Sequence, residues 1–394
     1  MAIELSNLTF TGENDIVPAS GDEEIVNTGI ANTLAGNDGI TGTGYDNHGF
    51  KNVGTLNTDD GNDTIIGQID FYQANPDIYG IFNSGTLNTG EGNDVITGSA
   101  FFYGLFNSGT LNTGEGDDVI IGSSRAIGIY NPEGSIFDTG DGNDLIRTGN
   151  RGAIHNYSNT FTTGDGNDTI AGGSGDYTGI SNEGLIDTGN GEDYIISRGA
   201  LFNYGGVFLG DGNDWLYTTD IPNSTFKNFN FIGTGDGNDI ISSTSVIYNE
   251  GVINTGDGAD SIIADGGYDD ITGTRYGIYN NGGAINMGNG NDSIIANEGF
   301  ESAENSSGAW FLGEGEDYIK GFGSGDFYGG NGNDTLELTP GTYTVGIWGE
   351  GWDTSAIFTK GNQLMITSEF EKLKAGSTIY DFTRLTGGQI IVVA

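Results

Sequence analysis

The sequence predicts an all-β fold, a right-handed parallel β-helix or β-solenoid with a roughly triangular coil of about 24–25 residues. Three observations carry that reading. First, FNSGTLNTGEGNDVITGS at 82–99 returns as FNSGTLNTGEGDDVIIGS at 106–123, an offset of 24 residues with 16 of 18 positions identical. Second, a G-x-G-N-D knot, with some substitutions, recurs along the chain. It ends at Asp63, Asp94, Asp118, Asp144, Asp168, Asp193, Asp214, Asp239, Asp260, Asp292, Asp317 and Asp334. The steps between these positions run from 17 to 32 residues and centre near 25, too short for the common helical repeats. Third, two residues after each of these Asp residues stands Ile or Leu, from Ile65 to Leu336, between variable neighbours. A fixed aliphatic with variable flanks is the period-2 signature of a strand buried on one face.

Each coil needs two more strands. One precedes the knot, as in Leu87-Asn88-Thr89. Its Leu and Thr point inward, because the Thr column becomes Leu209, Met287 and Leu312 in other coils, and the Asn88 column points out. The third strand ends in Asn in every aligned coil: Asn52, Asn83, Asn107, Asn131, Asn156, Asn182, Asn203, Asn228, Asn249, Asn280 and Asn305. An Asn amide bonds to backbone at a bend and to the Asn one rung away, so this column reads as a structural ladder. The residue before it is aromatic at Phe82, Phe106, Tyr130, Phe202, Tyr248 and Tyr279. Such a stripe offers a surface for sugars or for a neighbouring rod, and equally a set of rings that support one another.

Composition limits the function. The chain carries 55 acidic and 12 basic residues, a net charge of -43, and that field repels nucleic acid and anionic membranes. There is no Cys, which removes disulfides and thiolate metal sites. The two His residues, His48 and His155, are too few and too far apart for imidazole catalysis, and Lys and Arg are scattered. The expectation is therefore a protein that is not an enzyme. The start, MAIELSNLTFTGENDIV, lacks a basic and apolar leader, and no apolar run reaches the ~18 residues a membrane span needs.

The knot is the chemically demanding feature. Stacked coils place its Asp residues one rung, about 4.8 Å, apart. The residue between the two glycines is acidic in nine of twelve knots: Asp60, Glu91, Glu115, Asp141, Asp165, Asp211, Asp236, Asp257 and Glu314. Unit charges at that spacing repel by about 1 kcal/mol in water and several times more near a protein surface. Either some acids take up protons or hard cations sit between rungs. Oxygen-only ligands from carboxylates and turn carbonyls favour Ca²⁺ over Mg²⁺.

Gly329-Gly330-Asn331-Gly332-Asn333-Asp334-Thr335-Leu336-Glu337 fits the nonapeptide G-G-x-G-x-D-x-U-x in full. The chain thus resembles RTX proteins, the hemolysin-type calcium-binding repeat family. The resemblance implies Ca²⁺ held between coils by the twelve Asp carboxylates and by the knot glycines. Those glycines are Gly90, Gly92, Gly114, Gly116, Gly140, Gly142, Gly164, Gly166, Gly189, Gly191, Gly210 and Gly212. They continue as Gly235, Gly237, Gly256, Gly258, Gly288, Gly290, Gly313, Gly315, Gly330 and Gly332. RTX coils run about eighteen residues with ions on both edges; here one knot per longer coil implies a single row on one edge. Several knots are degraded: Asp59 stands where the first Gly belongs, Ala259 replaces Asn, and Glu192 and Glu316 add charge.

Thr11-Gly12-Glu13-Asn14-Asp15-Ile16 and Ala35-Gly36-Asn37-Asp38-Gly39-Ile40 look like worn copies of the knot. The reading divides the chain into a calcium-binding solenoid at 1–338 and, at 339–394, a C-terminal β cap that resembles a type I secretion signal. The leading functional expectation is a secreted or cell-surface, Ca²⁺-folded structural protein. Its partners would be calcium, copies of itself end to end or side by side, or surface polysaccharide, with no nucleic acid and no membrane insertion. An ice-binding or carbohydrate-binding solenoid is the alternative, and a polysaccharide-active enzyme stands behind both.

Overall fold

The computed structural model describes residues 2–17, 23–44, 48–69, 77–174, 177–219, 225–268, 275–302, 308–349 and 355–394. The chain forms two compact units, Met1–Gly210 and Asp211–Ala394.

In the first unit a coil lays down three short strands, such as Tyr79–Asn83, Thr86–Asn88 and Val95–Ser99. Each pairs in parallel with its equivalent one coil later, setting Ile81 beside Leu105, Leu87 beside Leu111 and Ile96 beside Ile120. The long step between Asp63 and Asp94 leaves this register intact, since Ile65 still pairs with Ile96. Periodicity in side-chain direction explains why strands of three to five residues suffice. The predicted aliphatic column (Ile65, Ile96, Ile120, Ile146, Ile170 and Ile195) is at most 1% exposed, and each such burial is worth about 1.5–3 kcal/mol. The Thr column is equally buried, and it is satisfied. Thr58, Thr89, Thr113 and Thr139 each donate their hydroxyl to the backbone carbonyl of the equivalent Thr one coil on, at 3.1–3.4 Å. Without those bonds each hydroxyl would carry a desolvation cost of about 1–3 kcal/mol.

The Asn ladder is present. Asn27, Asn52, Asn83, Asn107, Asn131 and Asn156 each donate Nδ2 to the next Asn Oδ1 at 2.8–3.0 Å. Most also reach a carbonyl across the bend, as Asn107 does to Ile136 O at 2.7 Å. Asn305 lies outside the described residues. The first coil closes on itself: a 3-10 turn at Leu5–Asn7 inserts Leu5, fully buried, against the strands Ile25–Asn27 and Ile30–Asn32.

The second unit repeats the plan and then leaves it. Its coils pair Ile241 with Ile262, Ile262 with Ile294 and Ile319 with Leu336, and its Asn ladder runs Asn228 to Asn249 to Asn280. Towards its end the core turns aromatic: Trp310 stacks on Phe327 at 4.3 Å, with Phe300 beside both. After Thr335–Leu338 the pairing becomes mixed. Gly341–Trp348, Ser355–Lys360 and Gln363–Ser368 form an antiparallel meander, and Ile390–Val393 pairs with the first of them. Two solenoid faces extend into this region in parallel register, Met365 beside Gly325 and Leu373 beside Leu336. Strand order thus outlasts the sequence period, which stops near residue 338. Among the described residues no helix is long and apolar enough to cross a membrane.

Candidate metal centre

The knots stack at one corner of the coil, and the two kinds of acid in them part company. The outer residues, such as Asp60, Glu91, Glu115 and Asp141, are exposed. The predicted ligands of the inner column, Asp63, Asp94, Asp118, Asp144, Asp168 and Asp193 in the first unit, are at most 2% exposed. So are Asp214, Asp239, Asp260, Asp292, Asp317 and Asp334 in the second. Sequence spacing alone places both along one charged edge; the structure separates them.

Buried carboxylates need partners, and the structure shows what half of each receives. Asp63 N–H donates to Asp94 Oδ1, Asp94 N–H to Asp118 Oδ1, and Asp118 N–H to Asp144 Oδ1, at 2.7–2.8 Å. The chain of bonds begins earlier, from Asp15 to Asp38 and from Asp38 to Asp63, so the worn N-terminal copies are true rungs. In the second unit it runs from Asp214 through Asp239, Asp260, Asp292 and Asp317 to Asp334 at 2.8–2.9 Å. A second ladder lies outside it and runs the opposite way. Asn93 N–H donates to Asn62 Oδ1, Asp117 N–H to Asn93 Oδ1, and Asn143 N–H to Asp117 Oδ1. The N-D pair of the knot therefore pins each rung to both neighbours.

The other carboxylate oxygen is left over. Oδ2 of Asp38, Asp63, Asp94, Asp118, Asp144 and Asp168 is buried without a hydrogen-bond partner, and so is Oδ2 of Asp239, Asp260, Asp292, Asp317 and Asp334. An ionised, buried, half-satisfied carboxylate is costly. Accordingly, burial pushes Asp118, Asp144, Asp168, Asp292 and Asp334 up to about 7. It pushes Asp63, Asp94, Asp193 and Asp260 up to about 6. Neighbouring Asp charges add to most of these shifts, while the nearby Thr hydroxyl (Thr113 for Asp118, Thr139 for Asp144) and the hydrogen bond from the adjacent backbone N–H oppose them. The row of Oδ2 atoms calls for a proton or a hard cation.

The glycines answer a different demand. Gly92 has φ +141° and Gly114 has φ +93°, both in the region that favours glycine. A Cβ on either would also stand 1.8 Å from a glycine carbonyl of the preceding rung. Rungs meet here through bare backbone, and the carbonyl oxygens of the knot glycines line the contact. Where the first glycine is missing, the left-handed turn persists: Asp59 holds φ +62° and Leu34 φ +70°. Among the described residues no three acidic side chains gather into a preformed ion cage. The donor set on offer is one buried carboxylate oxygen per rung plus main-chain carbonyls, all oxygen, which fits a hard cation such as Ca²⁺.

The aromatic stripe resolves in favour of mutual support. In the first unit Phe82, Phe106 and Tyr130 stack in sequence at 5.2–5.4 Å and 12–19°. Their faces are turned to one another, leaving mainly edges for a sugar. In the second unit Tyr248 and Tyr279 are at most 9% exposed. Both histidines belong to this packing. His48 stacks on Phe82 and is pushed down to about 4 by burial, and His155 lies near Tyr157 and is lowered by the same cause.

No protein-family model matches the chain, so the RTX resemblance rests on the knot motif. No curated protein matches it either. Among solved structures it is similar to a hyperactive, Ca²⁺-dependent, β-helical antifreeze protein from an Antarctic bacterium. The match has a TM-score of 0.42 and 20% identity, and covers 81% of this chain and 82% of that one.

Proposed function

We propose that the chain is a calcium-binding, non-catalytic structural β-solenoid that acts outside the cell, where calcium completes its fold. The observation that carries this reading is the row of buried Asp Oδ2 atoms without partners. The residues that would hold the ions are the inner-column Asp carboxylates, with the knot-glycine carbonyls beside them. Bound calcium would supply the positive charge that the column lacks. The chain's own residues do the rest: Oδ1 accepts the neighbouring N–H, the glycines let rungs approach, and the Thr and Asn ladders hold the coil at a fixed register. An acid-rich chain with this column is disfavoured as a compact fold where calcium is scarce. Folding then follows export, because ligand binding and folding share one free energy. Residues 339–394 would serve as both the closing strands and the export signal.

End-to-end stacking of copies is not part of the proposal; the first Asp rung of one unit and the last of the other each have a partner within their own unit. Asp15 turns its carboxylate onto its own Thr11 N–H at 2.6 Å, and Asp334 N–H is taken by Glu371 at 2.7 Å. The test is a Ca²⁺ titration of protein prepared in EGTA, followed by circular dichroism with Mg²⁺ as control. A gain of β-structure or a rise in melting temperature with Ca²⁺ alone supports the reading. Identical spectra and melting in EGTA and in Ca²⁺ would sink it.

A further inference from the structure

The last knot has no successor, and the chain meets it with something else. Tyr328 pairs with Ser368 and Leu336 with Leu373, so seven solenoid residues at this corner face only four from the closing strands. The four are Glu369, Phe370, Glu371 and Lys372, and they imitate a knot without its glycines. Glu371 Oε2 accepts Asp334 N–H at 2.7 Å, the bond that the next Asp Oδ1 supplies in every earlier coil of this unit. Lys372 N–H donates to Asp334 O at 2.9 Å, as Thr335 N–H does to Asp317 O one rung before. Glu369 takes φ +63°, the left-handed conformation that glycines hold elsewhere.

The cut corner leaves oxygens facing one another. Asp334 is fully buried, and its Oδ2 has no partner. A Cβ built on Gly329 would stand 2.9 Å from Asp334 Oδ2 and 2.1 Å from the Glu369 carbonyl oxygen, so both atoms converge on the same side of Gly329. Glu369 and Glu371 are the cap acids whose charges press on Asp334. Beside them a cavity of about 330 Å³ opens between Glu314, Asn331 and Glu369. A buried carboxylate oxygen without a donor, a main-chain carbonyl and two further carboxylates form the donor chemistry of a hard divalent cation.

We propose that the closing strands complete a divalent-cation site at the last rung, built on Asp334 Oδ2 and the Glu369 carbonyl oxygen, onto which the carboxylates of Glu369 and Glu371, not gathered into a preformed cage, close when the ion binds. This site differs from the knot-on-knot corners, since its closing ligands come from outside the repeat. It rests on the calcium reading above and extends it: the ion ties residues 369–375 to the solenoid. The cavity that Glu369 lines is open to solvent.

The experiment is amide hydrogen exchange of the full chain in EGTA and in CaCl₂, comparing wild type with Glu369→Gln/Glu371→Gln and with Glu133→Gln as a charge control. The Glu371→Gln change keeps a side-chain oxygen that accepts Asp334 N–H, so the ladder stays closed while the charge goes. In wild type, Ca²⁺ should slow exchange across 369–375 by roughly tenfold or more. In the double variant that local slowing should vanish, while slowing in the coils of residues 86–170 persists. A double variant in which Ca²⁺ protects 369–375 as in wild type overturns this site alone. A wild type whose exchange ignores Ca²⁺ everywhere overturns the calcium reading and this site with it.

Discussion

Two corners of the coil perform the same architectural task with different chemistry. The Asn corner and the Asp corner each bury one polar side chain per coil and link rungs in a one-way chain of bonds. Asn is self-complementary: Nδ2 donates to the next rung while Oδ1 accepts from the previous one, so the column is neutral and, past its first rung, where Asn27 Oδ1 has no donor, closed. Asp only accepts. Its Oδ1 takes a backbone N–H, and in rungs such as Asp94 and Asp118 Oδ2 is left buried without a hydrogen bond. The Asn corner is thus complete in the folded chain, whereas the Asp corner is conditional on a proton or a cation. A solenoid built on Asn alone would have no corner that responds to pH or cations; one with an Asp corner can be made to depend on its surroundings.

The largest effect is collective and read by pH. Inner-column carboxyls near 6 to 7 in the folded chain, against about 3.9 unfolded, mean that the folded state holds more protons between those values. Metal-free stability is therefore fully present below about pH 4, falls as pH rises, and levels off above about pH 7. Melting temperatures in EGTA from pH 5 to pH 8 should decline, and a flat or rising profile would refute the assignment of strain to this column. Next comes Asn107→Asp, which removes the donor to Asn131 Oδ1 and Ile136 O and buries a charge. The loss should be about 3 kcal/mol or more in urea unfolding, and calcium should not restore it.

The reverse exchange sharpens the contrast. Asp118→Asn keeps an Oδ1 for Asp94 N–H and replaces the unpartnered oxygen with a neutral amide nitrogen. At pH 8 in EGTA it should stabilise the chain by about 1 kcal/mol while reducing the gain on adding Ca²⁺. Destabilisation in EGTA would show that the carboxylate is satisfied without an ion. The smallest effect is Asp59→Gly, which relieves a non-glycine left-handed turn and should add about 1 kcal/mol with no change in calcium response.

How much of this was legible in the sequence depends on what repeats. The aliphatic column at Ile96, the inward Thr89, the Asn83 ladder and the worn rungs at Asp15 and Asp38 were readable, because period alone assigns a face and a stack. Bonds between a repeating side chain and the backbone of the next coil were not, since Thr89 to Thr113 O and Asn93 N–H to Asn62 Oδ1 depend on direction as well as spacing. Nor was the separation of exposed Glu91 from buried Asp94, three residues apart on a turn whose shape the glycines set. The Leu5 plug and the Glu371 terminator stayed invisible for a simpler reason: each occurs once, and an end has no period.

Proton release on calcium binding, measured by calorimetry at pH 6.5 in buffers of different ionisation enthalpy, reads the chemistry of the Asp corner directly. If the inner Asp column exchanges protons for calcium, net protons should leave the protein at pH 6.5, and the number should fall towards zero by pH 9. Calcium binding with no proton release at pH 6.5 would contradict the account, because the column would then already be ionised and its unpartnered oxygens would need another explanation.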